Sequence, residues 1–385
     1  MTPLRHLRHL LSLGVILFAA ACSAPEAIEK LPAVFYPDPP VAPRIQFLRS
    51  VTVGTDIEEG RSGLDTLLFG EMEMEKKLMA PYGVTLHNDI FYVCDIQQSA
   101  VITVDLEGRE MYFVEFEGRG QVQKPVNLAF SDDGRLFLAD MGRRQMVVYD
   151  KDFKFLREIG PFDREDGTES RVVDVEVANG RAYYLDAGLG EVRVFDADTY
   201  EQLLVFGAEE NGGSKLVKPT NLTIDSEGNS YVVDTVQCQV FVWDKDGNFV
   251  RTIGTPGDIV GQFARPKGIA LDDGLLYIID ASFENCQIFN MDGDPLMFFA
   301  NAGVNPGNLY LPACVWVGEE GLDLFDDYID DSFHPEKLIA ITNLYGPFKL
   351  NFYALGKADG FEYVDNEAAR GLADLPLETE EGTTE

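Results

Sequence analysis

One pattern recurs along this chain at nearly constant spacing. An apolar run ends in Asp, a short polar break follows, and a second apolar run ends nine positions on in a bulky residue trailed by Asp or Asn. It reads "FYVCDIQQSAVITVD" (91–105), "LFLADMGRRQMVVYD" (136–150), "YYLDAGLGEVRVFD" (183–196), "YVVDTVQCQVFVWD" (231–244) and "YIIDASFENCQIFN" (277–290). The marker aspartates Asp95, Asp140, Asp186, Asp234 and Asp280 stand 45, 46, 48 and 46 residues apart. A sixth, degenerate copy, "LDLFDDYIDDSFHPEKLIAITN" (322–343), carries Asp326, 46 further on, with about seven extra residues before its last strand. A chain written this way is a repeat protein, and its fold must be assembled from six similar units.

Each unit opens on Pro81, Pro125, Pro219, Pro266 or Pro312, with Val172 in that place in the third copy. A short apolar segment such as "NLAF" or "GIAL" comes next, then an Asp/Gly turn ("SDDG", "DSEG", "DDG") of the kind that joins antiparallel strands. A second segment ends at the marker Asp, a third at the Phe/Tyr/Trp-Asp pair, and a fourth at Ile-Gly or Phe-Gly. Period-2 apolar patterning with turn signals every 8–12 residues reads as four short strands. Four strands in a period of about 45 residues predict an all-β fold, a six-bladed β-propeller of four-stranded antiparallel blades. An Asp at the same strand end in every blade is expected to cap backbone N–H groups of the turn, not to react.

The unit "KPVNLAFSDDGRLFLADMGRRQMVVYDKDFKFLREIG" (124–160) resembles the NHL repeat, as do 218–254 and 265–293, so that the resemblance spans residues 81–356. The stretch "YPDPPVAPRIQFLRSVTV" (36–53) resembles the start of bacterial NHL-repeat lipoproteins, some encoded beside secreted multihaem cytochromes. That resemblance implies a protein partner of basic or cytochrome-like character. Many NHL repeats carry Arg five residues after the marker Asp; here Ala100, Gln145, Glu191, Gln239 and Asn285 stand there. The basic surface that nucleic-acid-binding NHL domains need is therefore missing at this position, and no nucleic-acid partner is expected.

The ends of the chain point to export. "MTPLRHLRHLLSLGVILFAAAC" has Arg5 and Arg8, an apolar run from Leu10 to Ala21, and then Cys22, which reads as a signal peptide over 1–21. "AAAC" resembles a lipobox, with Ala19 where Leu is more usual, making Cys22 the lipidation residue; Ser23 favours outer-membrane sorting, with the outer membrane or its extracellular face as the expected location. Residues 22–43 read as a Pro-rich tether, 44–356 as the propeller and 357–385 as an acidic tail. Residues 44–53 resemble the fourth strand of a blade and are expected to close the ring, while 64–79 read as a short helix. The net charge of −34 becomes −36 without residues 1–21, which hold two Arg and no acid. That field repels nucleic acids and anionic lipid and attracts cations and basic proteins, although solubility in an ion-rich medium would also explain it.

Catalytic signals are sparse. After the leader only His87 and His334 remain, which excludes the three-histidine zinc site of peptide-amidating lyases, and no G-x-S-x-G, Walker A, C-x-x-C-H or H-E-x-x-H motif occurs. Cys94 and Cys286 read as core fillers, and no disulfide pairing follows from the cysteine spacing. Two residues after each opening position stand Gly83, Asn127, Asp174, Asn221, Gly268 and Cys314, which should face the central channel at one level. Asn127, Asp174 and Asn221 together offer oxygens suited to Ca²⁺; alternatively they replace a left-handed Gly at a turn. The gluconolactonase-like hydrolases, whose channel metal uses such residues, resemble this arrangement without their full ligand set. The sequence reads as a non-enzymatic binding or scaffolding module, with a metal-dependent hydrolase or lactonase as the alternative.

Overall fold

The computed structural model describes residues 33–58, 76–207 and 215–363. Five consecutive four-stranded antiparallel sheets follow one another along the chain. Blade 1 comprises Pro81–His87, Ile90–Asp95, Ala100–Asp105 and Glu110–Phe113. Blade 2 comprises Pro125–Phe130, Leu136–Asp140, Gln145–Tyr149 and Phe155–Ile159. Blade 3 comprises Val172–Ala178, Arg181–Asp186, Glu191–Asp196 and Gln202–Phe206. Blade 4 comprises Pro219–Ile224, Ser230–Asp234, Gln239–Trp243 and Phe249–Ile253, and blade 5 Pro266–Asp272, Leu275–Asp280, Asn285–Asn290 and Pro295–Phe299. Blade 6 takes Pro312–Gly318, Phe333–Asn343 and Leu350–Ala358 from the end of the chain and its outer strands from the beginning.

That last sheet closes the ring. Ile45–Val51 pairs antiparallel with the final strand, Ile45 opposite Leu355 and Val51 opposite Leu350. Val34–Tyr36 then adds a fifth strand, with Val34 opposite Phe47, and Tyr36 Oη donates to Gly307 O at 2.7 Å. Residues 34–36, within the stretch expected as a tether, are docked on the sheet: Tyr36 buries its ring and the added strand covers an otherwise open sheet edge. The expected leader, Cys22 and most of the expected acidic tail lie outside the described residues, as does most of the expected helix; from 76 on, that stretch is extended, with Lys77 bridging Val53. No helix among the described residues is long and apolar enough to cross a membrane.

The second strand of each blade shows why the repeats carry near-continuous apolar runs. In blade 2, Leu136 and Leu138 pack toward blade 1 with Tyr92 and Cys94, while Phe137 and Ala139 pack toward blade 3 with Tyr184 and Phe195. Successive residues point to opposite faces, and both faces are covered, so both must be apolar. Among the described residues the core accordingly forms six clusters, one between each pair of adjacent blades, and a small seventh of Ala80, Ala313 and Leu344. Trp243, fully buried between blades 3 and 4 among Phe206, Phe241 and Phe249, is the largest of these residues.

The marker aspartates do the work expected of them. Asp140 accepts N–H bonds from Gln123 and Lys124 before its blade and from Gly142 and Arg143 after it, at 2.7–3.1 Å. Asp95, Asp186, Asp234 and Asp280 repeat the arrangement. The sixth marker needs correction. Asp326 sits exposed on a 3₁₀ helix, Leu322–Tyr328, inserted between the first two strands of blade 6, where Phe325 buries its ring against Phe352. The structural equivalent is Asn343, opposite Pro312 as Asp95 is opposite Pro81, with its Oδ1 accepting from Tyr310 N at 3.0 Å. "LDLFDD" mimics a strand ending in Asp, and its 46-residue spacing from Asp280 is coincidental because the inserted helix displaces the true strand end.

Candidate functional site: the central channel

The inner strands all start at the same mouth, because each follows the same course through its blade. Three residues past each opening position stand Val84, Leu128, Val175, Leu222, Ile269 and Val315, which pack in the clusters between blades. Their preceding neighbours Gly83, Asn127, Asp174, Asn221, Gly268 and Cys314 therefore turn toward the axis. These six form a neck. At Gly83 a Cβ would stand 2.2 Å from Asn127 Oδ1, and at Gly268 one would stand 2.8 Å from Cys314 Cα. Neighbouring inner strands approach there too closely for a side chain.

Asn127, Asp174 and Asn221 do converge, and they bond to one another. Asn127 Nδ2 donates to Asp174 Oδ1. Oriented so that its Nδ2 donates to the carbonyls of Lys267 and Thr220 at 3.2 Å, Asn221 accepts through Oδ1 from Asn127 Nδ2 at 3.1 Å. Asp174 Oδ1 also accepts from Val175 N at 2.9 Å, Asp174 Oδ2 from Leu222 N at 2.7 Å, and Asn127 Oδ1 from Leu128 N at 3.0 Å. Burial pushes the Asp174 carboxyl well above the usual carboxylate range, with nearby Glu176 adding to that, while the Leu222 and Val175 N–H groups and the Asn127 amide pull it back.

Neither expectation for the trio describes this geometry. All three residues lie within strands and none has a positive φ, so they do not stand in for a left-handed glycine. A Ca²⁺ cage needs six to eight oxygens directed at one point. Here the trio's oxygens meet N–H donors, and Gly83, Gly268 and Cys314 complete the ring. Among the described residues no group of three or more His, Cys, Asp or Glu is placed to hold a metal. The arrangement does not fit a calcium site; it is a hydrogen-bonded cluster that ties blades 2, 3 and 4 together at the neck. Thermal unfolding midpoints in excess Ca²⁺ and in chelator should therefore coincide for wild type and for Asp174→Asn alike. A rise with Ca²⁺ that Asp174→Asn removes would restore the metal reading.

On one side of the neck the channel opens into a funnel of about 500 Å³. Its wall includes carboxylates from different blades, Asp132, Asp174, Glu176 and Glu320, together with His87, and no Lys or Arg among the described residues. Burial raises the Glu176 carboxyl to about 7, and its backbone contact with Val177 N lowers it only in part. His87 stacks face to face on Phe130 with ring centroids 4.1 Å apart, and burial lowers its pKa against the upward pull of Glu320. His334 lies elsewhere, exposed and 3.0 Å from Asp359. Cys94, Cys286 and Cys314 are buried and, with Cys238, unbridged.

On the other side, Tyr82 and Lys267 occupy equivalent positions, one residue past the opening prolines of blades 1 and 5. The Lys267 ammonium stands 5.3 Å from the Tyr82 ring centroid. One step before the opening position stands another set of equivalent residues: Ala80, Lys124, Arg171, Lys218 and Arg265, whose N–H groups donate to the marker Asp of their blade, and Leu311, whose N–H donates to Glu284 Oε1 at 2.8 Å. Four consecutive blades thus present a basic residue at this mouth. The signal lies in the sequence as Lys-Pro, Arg-Val, Lys-Pro and Arg-Pro at the blade openings, away from the position five residues after the marker where many NHL repeats carry Arg.

Comparison with known proteins agrees with this architecture. The model of a family described as a 6-bladed beta-propeller matches residues 214–298. No curated protein matches the chain. Among solved structures, one described as "Streptogramin B lyase structure" is similar with a TM-score of 0.50 and 14% identity, over 72% of this chain and 83% of that one. A structural genomics protein of unknown function from Bacteroides thetaiotaomicron is similar with a TM-score of 0.52 and 14% identity, over 80% of this chain and 75% of that one. At such identities the likeness is one of fold. Blade count, strand order and the matched family description together establish the chain as a six-bladed β-propeller.

Proposed function

We propose that this chain is an exported, lipid-anchored propeller of NHL type that acts as a non-enzymatic binding or scaffolding module, its funnel receiving a basic segment of a protein partner in an envelope assembly. The observation that carries the reading is the funnel itself, where carboxylates from three blades face a cavity of about 500 Å³ whose described wall holds no Lys or Arg. A cleft lined by one sign of charge focuses its field, and the chain's net charge of −34 adds to it. The leader and Cys22 support export and anchoring, and the resemblance of residues 36–53 to lipoproteins encoded near multihaem cytochromes supports such a partner class.

The test is affinity capture from solubilised membranes with wild type, Glu176→Gln/Glu320→Gln and Cys22→Ser. Wild type should hold a basic partner at about 0.15 M salt and release it near 0.5 M. The double variant should capture several-fold less, and Cys22→Ser should leave the membrane fraction still folded. Equal capture by the funnel variant would sink the assignment of the surface, and wild type found soluble after export would sink the anchor. The alternative, a hydrolase or lactonase, draws on Glu176, whose pKa near 7 suits a general acid–base. Ester or lactone turnover abolished by Glu176→Gln, with partner capture intact, would decide for it.

A further inference from the structure

The mouth opposite the funnel holds a buried cation without an obvious purpose. Lys267 is only 8% exposed, yet among the described residues its ammonium has no hydrogen-bond or ion-pair partner and stands over the face of Tyr82. A buried lysine is ordinarily paired, and an aromatic face offsets only part of its lost hydration. The neighbouring charges make matters worse. Arg265, two residues earlier in the same blade, and Lys218, at the equivalent position of blade 4, are close enough to hold down the protonation of Lys267. Both are exposed and neither forms an ion pair among the described residues. Lys124 and Arg171 continue the set on blades 2 and 3, also without ion pairs among the described residues.

Three positive charges gathered with no described counterion are unexpected in a chain with 65 acidic and 31 basic residues. Elsewhere on this propeller, basic side chains do find carboxylates: Arg143 pairs with Glu158 at 2.7 Å, Arg164 with Glu191 at 2.8 Å, and Lys337 with both Asp272 and Glu319. The marker carboxylates nearest the cluster are engaged with backbone. Asp234 takes the N–H of Lys218 and Asp280 that of Arg265, which turns these two backbones toward the strand ends and leaves the side-chain charges unmatched. Local rules broken in this way, with nothing in the fold to compensate, are characteristic of a functional site.

We propose that Lys267, Lys218 and Arg265 form a binding site for an oxyanion-bearing ligand, a phosphate or carboxylate group seated against Lys267 at the channel mouth remote from the funnel. Lys267 supplies a desolvated point charge at the floor, and its aromatic neighbour Tyr82 offers a flat apolar wall for whatever carries the anion. Lys218 and Arg265 form a solvent-exposed rim, where Arg265 can present a planar fork to two oxygens. The two mouths of one channel then take ligands of opposite sign. The site is independent of the proposal for the funnel, since the residues involved lie on opposite sides of the neck.

Titration calorimetry on the full chain at low ionic strength, with inorganic phosphate and with citrate as probes, tests this. At least one probe should bind, and the preferred one identifies the group as phosphate or carboxylate. Lys267→Met should weaken that binding about tenfold or more, because it removes the desolvated charge. Lys218→Gln and Arg265→Gln should each weaken it about three- to fivefold, as exposed charges do. Lys154→Gln, which alters an exposed turn of blade 2, should leave it unchanged. A circular-dichroism melt of Lys267→Met no lower than that of wild type separates loss of the site from loss of the fold. Absence of binding by either probe overturns the proposal. So does binding that Lys267→Met leaves as tight as in wild type, which would mark nonspecific attraction to the basic rim.

Discussion

Replacing Asp234 with alanine is expected to cost about 4 kcal/mol of stability, the largest effect of any single substitution considered for this propeller. The side chain is fully buried at the junction of blade 4 with the segment that enters it. One oxygen accepts from the N–H groups of Val217 and Lys218 at 2.6 and 2.9 Å, and from Gln237 Nε2 at 3.2 Å; the other accepts from the N–H groups of Val236 and Gln237 at 3.1 Å. Alanine leaves all these donors without a partner in a place where water enters poorly, and each such group costs about 1–3 kcal/mol before relaxation. Asp234→Asn should cost roughly half as much, since its amide keeps one acceptor and turns an NH₂ toward N–H donors. Urea unfolding of the three proteins measures both. An alanine variant within about 1 kcal/mol of wild type would show that the turns hold without the carboxylate.

Lys267→Met works in the opposite direction and should raise stability at pH 7 by about 3 kcal/mol. Burial, with Arg265 and Lys218 adding to it, lowers the lysine pKa to about 8 from its ordinary 10.5. The sign follows from proton binding. Between pH 8 and 10.5 the unfolded chain holds the proton and the folded chain does not, so the lysine's penalty is absent above that window and grows as pH falls through it. Below pH 8 both states are charged and the folded state carries the full cost of desolvation. The advantage of methionine should therefore be greatest at neutral pH and fade toward pH 10.5, which paired urea titrations across that range would show. Saturating anion should narrow the gap at neutral pH, because it binds the wild-type fold about tenfold or more tightly than the variant and so stabilises it more. A methionine variant less stable than wild type at pH 7 would mean that the ammonium is already satisfied. The same residue would then cease to support the anion site.

These two residues mark the division between what the sequence by itself determined and what tertiary structure decided. The recurrence of Asp140-type markers, their spacing, and the proline openings determined blade number, strand count and the capping role of the carboxylates, because these rest on local rules: period-2 burial, Asx turns and strand length. The closing strand was legible for the same reason, since "RIQFLRSV" resembles the fourth strand of a blade and a closed ring leaves no open edge. Where a local signal could be imitated, the reading failed. Asp326 had the right spacing and the wrong structure, because an inserted 3₁₀ helix carried a strand-like sequence away from the sheet. The neck trio was placed correctly on the axis, but its chemistry depended on side chains from blades 2, 3 and 4 meeting N–H groups on one another's strands. The basic mouth was written in the sequence as residues about 47 apart, each unremarkable where it stands. Only closure of the ring turns those separate charges into one field and buries Lys267 among them, because burial and charge repulsion are properties of distance in space, which the order of residues along the chain does not contain.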